Sequence, residues 1–362
     1  MSEDSSDSSA RDVVAARSLP WLEALLRRAL ATQTAHALLL HGPGAVGQFE
    51  LALALAQGWL CESTSVAITS RPCGVCASCR LVFARSHPDL LVLVPEALRE
   101  SLGWSSREAE EGEEKSGKKK PSKDIRVEEV RSAVSFALTT SARGRGKVVV
   151  VHPAERMNAI AANAFLKTLE EPAGNARFLL CSAAPDALLA TIRSRCQAVA
   201  LSLPAKDEAI EWLSAQGVAS PEILLAACGG QPQDALERAS FGIDAATWRA
   251  LPANVMAGNA GALRGWPLPW VIDALQKLCH DVACAASGAE GRYFPAASLP
   301  RPPHLAPLLQ WARALAGAAR HAEHPWIVDL GIEALVEQAR EALQTPRLVR
   351  PGTRGGSLNS ER

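Results

Sequence analysis

Five short apolar runs, each separated from the next by a stretch that can form a helix, constrain this chain more than any other feature of it. They lie at residues 36–40, 90–94 (LLVLV), 147–151 (KVVVV), 177–181 and 197–201. A run that is apolar at successive positions has no side suited to water, so both faces of its strand must be covered. Strands of this kind alternating with helices fold into a parallel sheet with helices on both faces. Helical periodicity is found at 19–30, where Trp21, Leu22, Leu25, Leu26 and Leu30 recur at three-to-four spacing, and again at 50–60, 127–138, 157–171 and 188–193. Pro172 stops the fourth of these.

From Pro204 onward no strand signal recurs. A small helical unit extends to about Phe241, and a longer helical region covers 248–343, interrupted by a proline-rich stretch at 294–307. No internal repeat is found. With 362 residues the chain exceeds what one core usually organises. The expected division is a disordered tail at 1–18, an α/β domain at 19–203, helical domains at 204–242 and 243–345, and a second disordered tail at 346–362. Within the α/β domain lie a cysteine-rich insert at 61–87 and a charged loop at 99–124. That loop, whose residues 107–123 read REAEEGEEKSGKKKPSK, holds almost no apolar residues and is expected to be a disordered, solvated insert in preference to a DNA-contacting lysine arm.

Lysine plus arginine equals aspartate plus glutamate, 38 of each, so no global field favours nucleic acid. The opening MSEDSSDSSA is acidic and serine-rich, unlike a signal peptide. No apolar run approaches the roughly 18 residues of a membrane span. A cytoplasmic protein without a membrane partner is expected, and in that reducing compartment cysteines serve metals more often than disulfides.

The motif HGPGAVGQFE, residues 41–50, has the glycine spacing of a phosphate-binding loop, with Gly42 and Gly47 in place. Such a loop continues with Lys and then Ser or Thr; here Gln48 and Phe49 follow. Gln48 carries no charge for the terminal phosphates, and Phe49 offers no oxygen to magnesium. Strand, turn and helix are kept without the chemistry, so the site is expected to be empty of ATP, apart from weak anion attraction by N–H groups at the helix start.

The stretch NAFLKTLEEP, residues 163–172, followed by FLLCSAAPDALLATIRSRC, residues 178–196, resembles the clamp-loader branch of the AAA+ ATPases. The resemblance covers residues 36–201, and the helical remainder in layout only. It implies an AAA+ nucleotide-binding-type α/β domain with a zinc-binding insert, a small helical lid domain and a C-terminal all-α collar domain. It also implies where an ATPase keeps its working parts. At the end of the third strand, where active relatives carry Asp then Glu, this chain has His152 and Pro153; Glu155 lies past the strand end, as a capping or solvated carboxylate. In GGQPQDAL, residues 229–236, Gln233 stands where active relatives present an arginine. Arg195, in the motif SRC, matches the arginine that relatives insert into a neighbour's ATP site. Arg193, two residues away, would face differently.

The resemblance therefore implies a non-hydrolysing member of a clamp-loading hetero-pentamer within the DNA polymerase III holoenzyme. Its partners would be motor and clamp-opening subunits, and through them the sliding clamp and primer-template DNA. Asn163 and Lys167, four apart on one helix, share a face that would look toward DNA or an adjacent subunit, or simply toward solvent. The rival readings are an active ATPase with non-standard residues and a free-standing zinc-dependent nucleic-acid-binding module.

CGVCASC, residues 73–79, supplies Cys73, Cys76 and Cys79 at metal-ligand spacing. Cys61, twelve residues earlier, is the expected fourth ligand, and His87 is the fallback. A structural zinc ion is expected; the spacing also admits an iron–sulfur cluster. Cys181, Cys196, Cys228, Cys279 and Cys284 read as buried thiols.

Overall fold

Successive side chains of a strand point to opposite faces, and that alternation builds the first part of the molecule. The computed structural model describes residues 19–104, 121–301, 304–322 and 327–344. The tails at 1–18 and 346–362, and residues 105–120 of the charged loop, lie outside the described residues. Strands β1 (Ala37–His41), β2 (Leu90–Leu93), β3 (Lys147–Val151), β4 (Ala176–Ser182) and β5 (Gln197–Ala200) form a five-stranded sheet in the order β2-β3-β4-β1-β5. Every pairing is parallel, as the apolar runs require.

Helices α1 (Glu23–Thr32), α2 (Gln48–Leu60), α3 (Ala77–Phe83), α4 (Glu96–Arg99), α5 (Val127–Leu138), α6 (Ala159–Glu170) and α7 (Ala190–Arg193) accompany the sheet. On one face Leu38, Leu40, Val148, Val150, Leu179 and Cys181 join a core with α1 and α2. On the other, Leu39, Val149, Val151, Phe178 and Leu180 join a core with α5 and α6.

Among the described residues the chain divides into two compact units, one reaching residue 212 and taking in 231–233, the other made of 213–230 and 234 onward. Helix α8 (Lys206–Ala215) crosses from the first to the second, followed by α9 (Pro221–Ala227), α10 (Pro232–Ser240), α11 (Ala245–Met256), α12 (Leu268–Ala286), α13 (Leu305–Arg320) and α14 (Val328–Gln344). The second unit has no strand among its described residues. Trp248 of α11 is fully buried in its core, stacked on Phe294 at 4.7 Å, with its indole N–H donating to the Tyr293 carbonyl at 3.0 Å. Asp281 of α12 accepts backbone N–H bonds from Arg292, Tyr293 and Phe294 at 2.7–2.8 Å, which pins the irregular segment after that helix. Among the described residues no helix is long and apolar enough to cross a membrane.

Several boundaries depart from those read in the sequence. Helix α2 begins at Gln48, two residues early, which puts Gln48 and Phe49 in its first turn. Helix α6 begins at Ala159, capped by the Asn158 side chain, and residues 154–156 form a separate turn. Helix α13 takes in Pro307, tolerated in a first turn whose N–H groups need no partner. The charged run at 99–124 is ordered at both flanks: Arg99 pairs with Glu129, Arg85 lies over the Trp104 ring, and the Ser122 N–H donates to Glu96. Leu102 and Trp104 explain this, since they pack against the core and anchor the start of the run.

The entry to β2 and β3 is tied by a buried charge. Asp89 is fully buried and accepts the N–H groups of Ala142 and Arg143 at 2.8 and 2.9 Å and the Ser141 hydroxyl at 3.0 Å, with Lys147 Nζ at 3.4 Å. Burial alone would push this carboxyl up, but those donors together hold it below the usual carboxylate range. Replacing Asp89 by Ala leaves Lys147 buried without a counter-charge, and urea unfolding at pH 7 should show a loss of about 3 kcal/mol. Because the folded value is lowered, this stabilisation is present above the ordinary aspartate pKa and disappears as pH falls through the folded value. The gap between wild type and variant should therefore close in acid.

Candidate functional site

The glycine loop lies at the C-terminal edge of the sheet, where α/β proteins commonly bind ligands. Its glycines are explained by packing. A Cβ on Gly42 would stand 2.2 Å from the Leu201 carbonyl oxygen, and Gly47, at φ +100°, would push one to 2.7 Å from methyl groups of Leu19 and Leu22. Gln48 is 6% exposed, and its amide turns back to donate to the carbonyls of Gly42 and Pro43. Where a lysine would reach over phosphates, this side chain closes the loop on itself.

Phe49 stacks on His152 with ring centroids 4.8 Å apart. Burial pushes the His152 imidazole down to about 4, against the opposing pull of Glu155, so at neutral pH it is an uncharged packing surface. Glu155 accepts the Ala183 N–H at 3.1 Å and so links the ends of β3 and β4. Gln233 donates to Glu50 at 2.7 Å, and desolvation pushes the Glu50 carboxyl up. The structure thus brings Gln48, Phe49, His152, Glu155 and Gln233 around one strand edge, each engaged in an internal contact.

The four cysteines meet. Cys61 caps the C-terminus of α2, Cys76 caps the N-terminus of α3, Cys79 lies in α3, and all four sulfurs lie within 4.8 Å of one another. Cys73 and Cys79 are 3.9 Å apart, Cys61 and Cys76 4.0 Å. A tetrahedral ion with metal–sulfur bonds of about 2.3 Å sets its ligands about 3.8 Å apart, so the cluster fits a metal with little adjustment. The N–H groups of Cys76 and Cys79 point at the sulfurs of Cys73 and Cys76, both at 3.4 Å. Against the effect of burial, N–H donors at Cys76 and Val75 hold the Cys73 thiol down to about 6, while burial pushes Cys79 up. His87 has both ring nitrogens engaged, with Ser78 at 2.6 Å and the Asp89 N–H at 3.0 Å, so Cys61 completes the set. All nine cysteines are free thiols. Cys181, Cys228 and Cys279 are buried as expected; Cys196 and Cys284 are only half-buried, a correction to their reading, because one precedes an exposed edge strand and the other lies near the exposed end of α12.

Arg195 follows α7 and is held to the chain itself: its guanidinium pairs with Glu170, with Nε at 2.6 Å, and donates to the Thr191 carbonyl at 2.9 Å. Arg193 turns elsewhere, to Asp186 at 2.6 Å. Asn163, Lys167 and Glu170 are exposed at i, i+4 and i+7 of α6, one stripe whose end Arg195 meets. Sequence reading missed Glu170 as the residue that orients Arg195. The adjacent glutamates of TLEEP were visible, but no spacing rule says which reaches a residue 25 positions on.

The family model described as DNA polymerase III, delta subunit, matches residues 20–205. DNA polymerase III subunit delta′ of Pseudomonas aeruginosa is 41% identical over 218 residues, 59% of this chain and 58% of that protein. Subunit delta′ of Escherichia coli is 31% identical over 281 residues, 71% of this chain and 76% of that protein. The match therefore spans little more than half the length of the first of these relatives. Among solved structures, a DNA polymerase III gamma subunit-related protein from Thermotoga maritima is 16% identical, with a TM-score of 0.46 over 89% of this chain and 99% of its own.

Two measurements check the geometry. The cluster should take up one Co2+ per chain with the intense near-ultraviolet absorption of thiolate-to-metal charge transfer, and Cys79→Ser, which leaves three thiolates, should weaken both the binding and that absorption. The folded value of His152 lies below the ordinary 6.5, so its stabilisation is complete above 6.5 and lost progressively as pH falls toward 4. His152→Phe keeps an aromatic ring against Phe49 and should lose less stability than wild type across that window in thermal unfolding. Parallel losses would remove His152 as the acid-sensitive group.

Proposed function

This chain belongs to the DNA polymerase III delta-subunit family, and from that premise we propose that it is a non-hydrolysing, delta-prime-type subunit of a clamp loader, acting on ATP held by a neighbouring subunit. The observation that carries this reading is the filled glycine loop: Gln48 bonded to the loop carbonyls and Phe49 stacked on His152 occupy the places of the lysine, the hydroxyl and the acidic pair. An active ATPase would need a cation and a magnesium ligand at those places. The same contacts argue against that rival.

Arg195 is the residue that supplies the function. A guanidinium stays charged at any working pH and forks onto phosphate oxygens, and a finger supplied in trans contributes on the order of 10³ to 10⁵ in rate. Its pairing with Glu170 is partly exposed, with the Arg195 side chain 29% accessible, so exchanging it costs about 1 kcal/mol or less. A phosphate offers the stronger, doubly charged partner. Glu170 then acts as a holster that keeps the arginine extended from α7 until a neighbour's nucleotide replaces it.

In this reading residues 204–242 form the lid domain and 243–345 the collar that assembles the hetero-pentamer with motor and clamp-opening subunits. The stripe of Asn163 and Lys167 faces DNA or an adjacent subunit, and the sliding clamp and primer-template DNA are engaged through the complex in the cytoplasm. The four thiolates hold Zn2+, the ion suited to a closed tetrahedral sulfur site, and it staples an insert with little core of its own.

A reconstituted loader carrying Arg195→Ala should assemble normally, while DNA-stimulated hydrolysis at the adjacent site falls by on the order of 10³. Loss of assembly would make Arg195 a structural residue and remove the proposed role. The purified chain alone should show no magnesium-dependent ATP turnover; turnover at a motor rate would overturn the reading.

A further inference from the structure

At the opposite edge of the sheet, where β1, β3 and β4 begin, a cavity of 320 Å³ is lined by Thr34, His36, Arg145, Asn175 and Arg177 among others. No carboxylate lines it. A second cavity of 390 Å³ shares Gly174, Asn175 and Ala176 with the first and continues over Thr139, Thr140 and Ser141. The two form one groove, basic at one end and hydroxyl-lined at the other.

The charges at the basic end are not satisfied from within. The Arg177 guanidinium carbon lies 4.5 Å from the Trp59 ring centroid, and among the described residues that side chain has no hydrogen-bond or carboxylate partner. Burial without a counter-charge lowers its pKa, a cost that a bound anion would relieve. The ring contact leaves the N–H fork without an acceptor among the described residues. Arg145 makes one bond, to the Glu62 carbonyl at 3.3 Å, and is otherwise exposed. The nearby acids are already engaged: Glu62 receives both prongs of Arg143 at 2.6 and 3.0 Å, and Asp89 is closed by its own donors and Lys147. The Gly146 turn packs closely on Asn175, where a Cβ would stand 2.5 Å from the carbonyl oxygen, so the backbone segments that carry Arg145 and Arg177 lie side by side.

We propose that this groove is a phosphate-binding site, separate from the glycine loop and from Arg195, in which the forks of Arg145 and Arg177 take the phosphate oxygens of a phosphate ester. A tetrahedral phosphate offers several charged acceptors and suits two guanidinium forks with hydroxyl and amide groups beside them. The hydroxyl-lined continuation accommodates the polar sugar attached to it. The phosphate belongs either to a free nucleotide-sized ester or to the backbone of a nucleic-acid strand, which present the same group.

Titration of the full-length chain with inorganic pyrophosphate, deoxyadenosine monophosphate and a single-stranded oligodeoxynucleotide tests this, followed by calorimetry and by the fluorescence of the tryptophans, Trp59 among them. Saturable binding is expected, weakened about tenfold by Arg145→Ala and by Arg177→Gln, which keeps a stem over Trp59, and unchanged by Arg193→Ala. A free ester is the source if the oligonucleotide binds no tighter than the mononucleotide. A strand is the source if it binds much more tightly, competes with pyrophosphate and loses affinity steeply with salt. The proposal is overturned if no probe saturates, or if binding survives both substitutions unchanged. Should Arg177→Gln melt well below wild type, Arg145→Ala, an exposed position, decides the question alone.

Discussion

All five residues of β3 are buried, and the strands beside it carry core on both faces. Neither face of this sheet is open to a ligand, so side chains that meet solvent or a partner must lie at strand ends and on the outer helices. That single constraint places the main features of the first unit. The glycine loop, His152 and Glu155 lie beyond the C-terminal ends of β1 and β3, while Arg145 and Arg177 lie at the N-terminal ends of β3 and β4. Arg195 lies before β5, the edge strand with the most exposed residues.

The shape of the glycine loop is held by packing. Gly42 is required by the approach of the Leu201 backbone, and Gly47 by its left-handed conformation and by Leu19 and Leu22. Those requirements persist whether or not a phosphate is bound. Gln48 and Phe49 then fill the loop with an amide bonded to its carbonyls and a ring stacked on His152, contacts that leave no unpaired buried charge, which would cost far more than a buried ring or a bonded amide.

Polar anchors join what apolar packing does not. The cysteine insert is a short irregular stretch with few core residues, and it is fixed from three sides: by its own four sulfurs, by the bond from Gln57 to the Cys79 carbonyl at 3.0 Å, and by Arg143 reaching Glu62 next to Cys61. Arg143 is itself positioned by Asp89, which holds its backbone N–H at 2.9 Å. One buried carboxylate therefore connects the start of the edge strand β2 and its neighbour β3 to the insert and shapes the turn that carries Arg145. Its loss would be felt at each of these places.

The five strands, their parallel pairing and the cysteine set were legible in the sequence, because local rules govern them: runs apolar on both faces, and thiols at fixed spacing on a tight turn. That Gln48 and Phe49 stand where a phosphate-binding loop continues with Lys and Ser or Thr was legible too, since residue identity is a fact of the sequence. Contacts between residues far apart in the chain were not. Sequence could not tell that Glu170 holds Arg195, that Phe49 lies on His152, that Asp89 gathers Ser141, Ala142, Arg143 and Lys147, or that Leu102 and Trp104 would order the start of a charged run. Each depends on which strand ends the sheet order sets side by side, and that order follows from packing the whole set of helices on two faces, not from any local pattern. The sequence by itself determined the elements and which groups could do chemistry. Only the tertiary structure decided which of those groups meet, because a hydrogen bond or ion pair depends on distances of a few ångströms that chain separation does not encode.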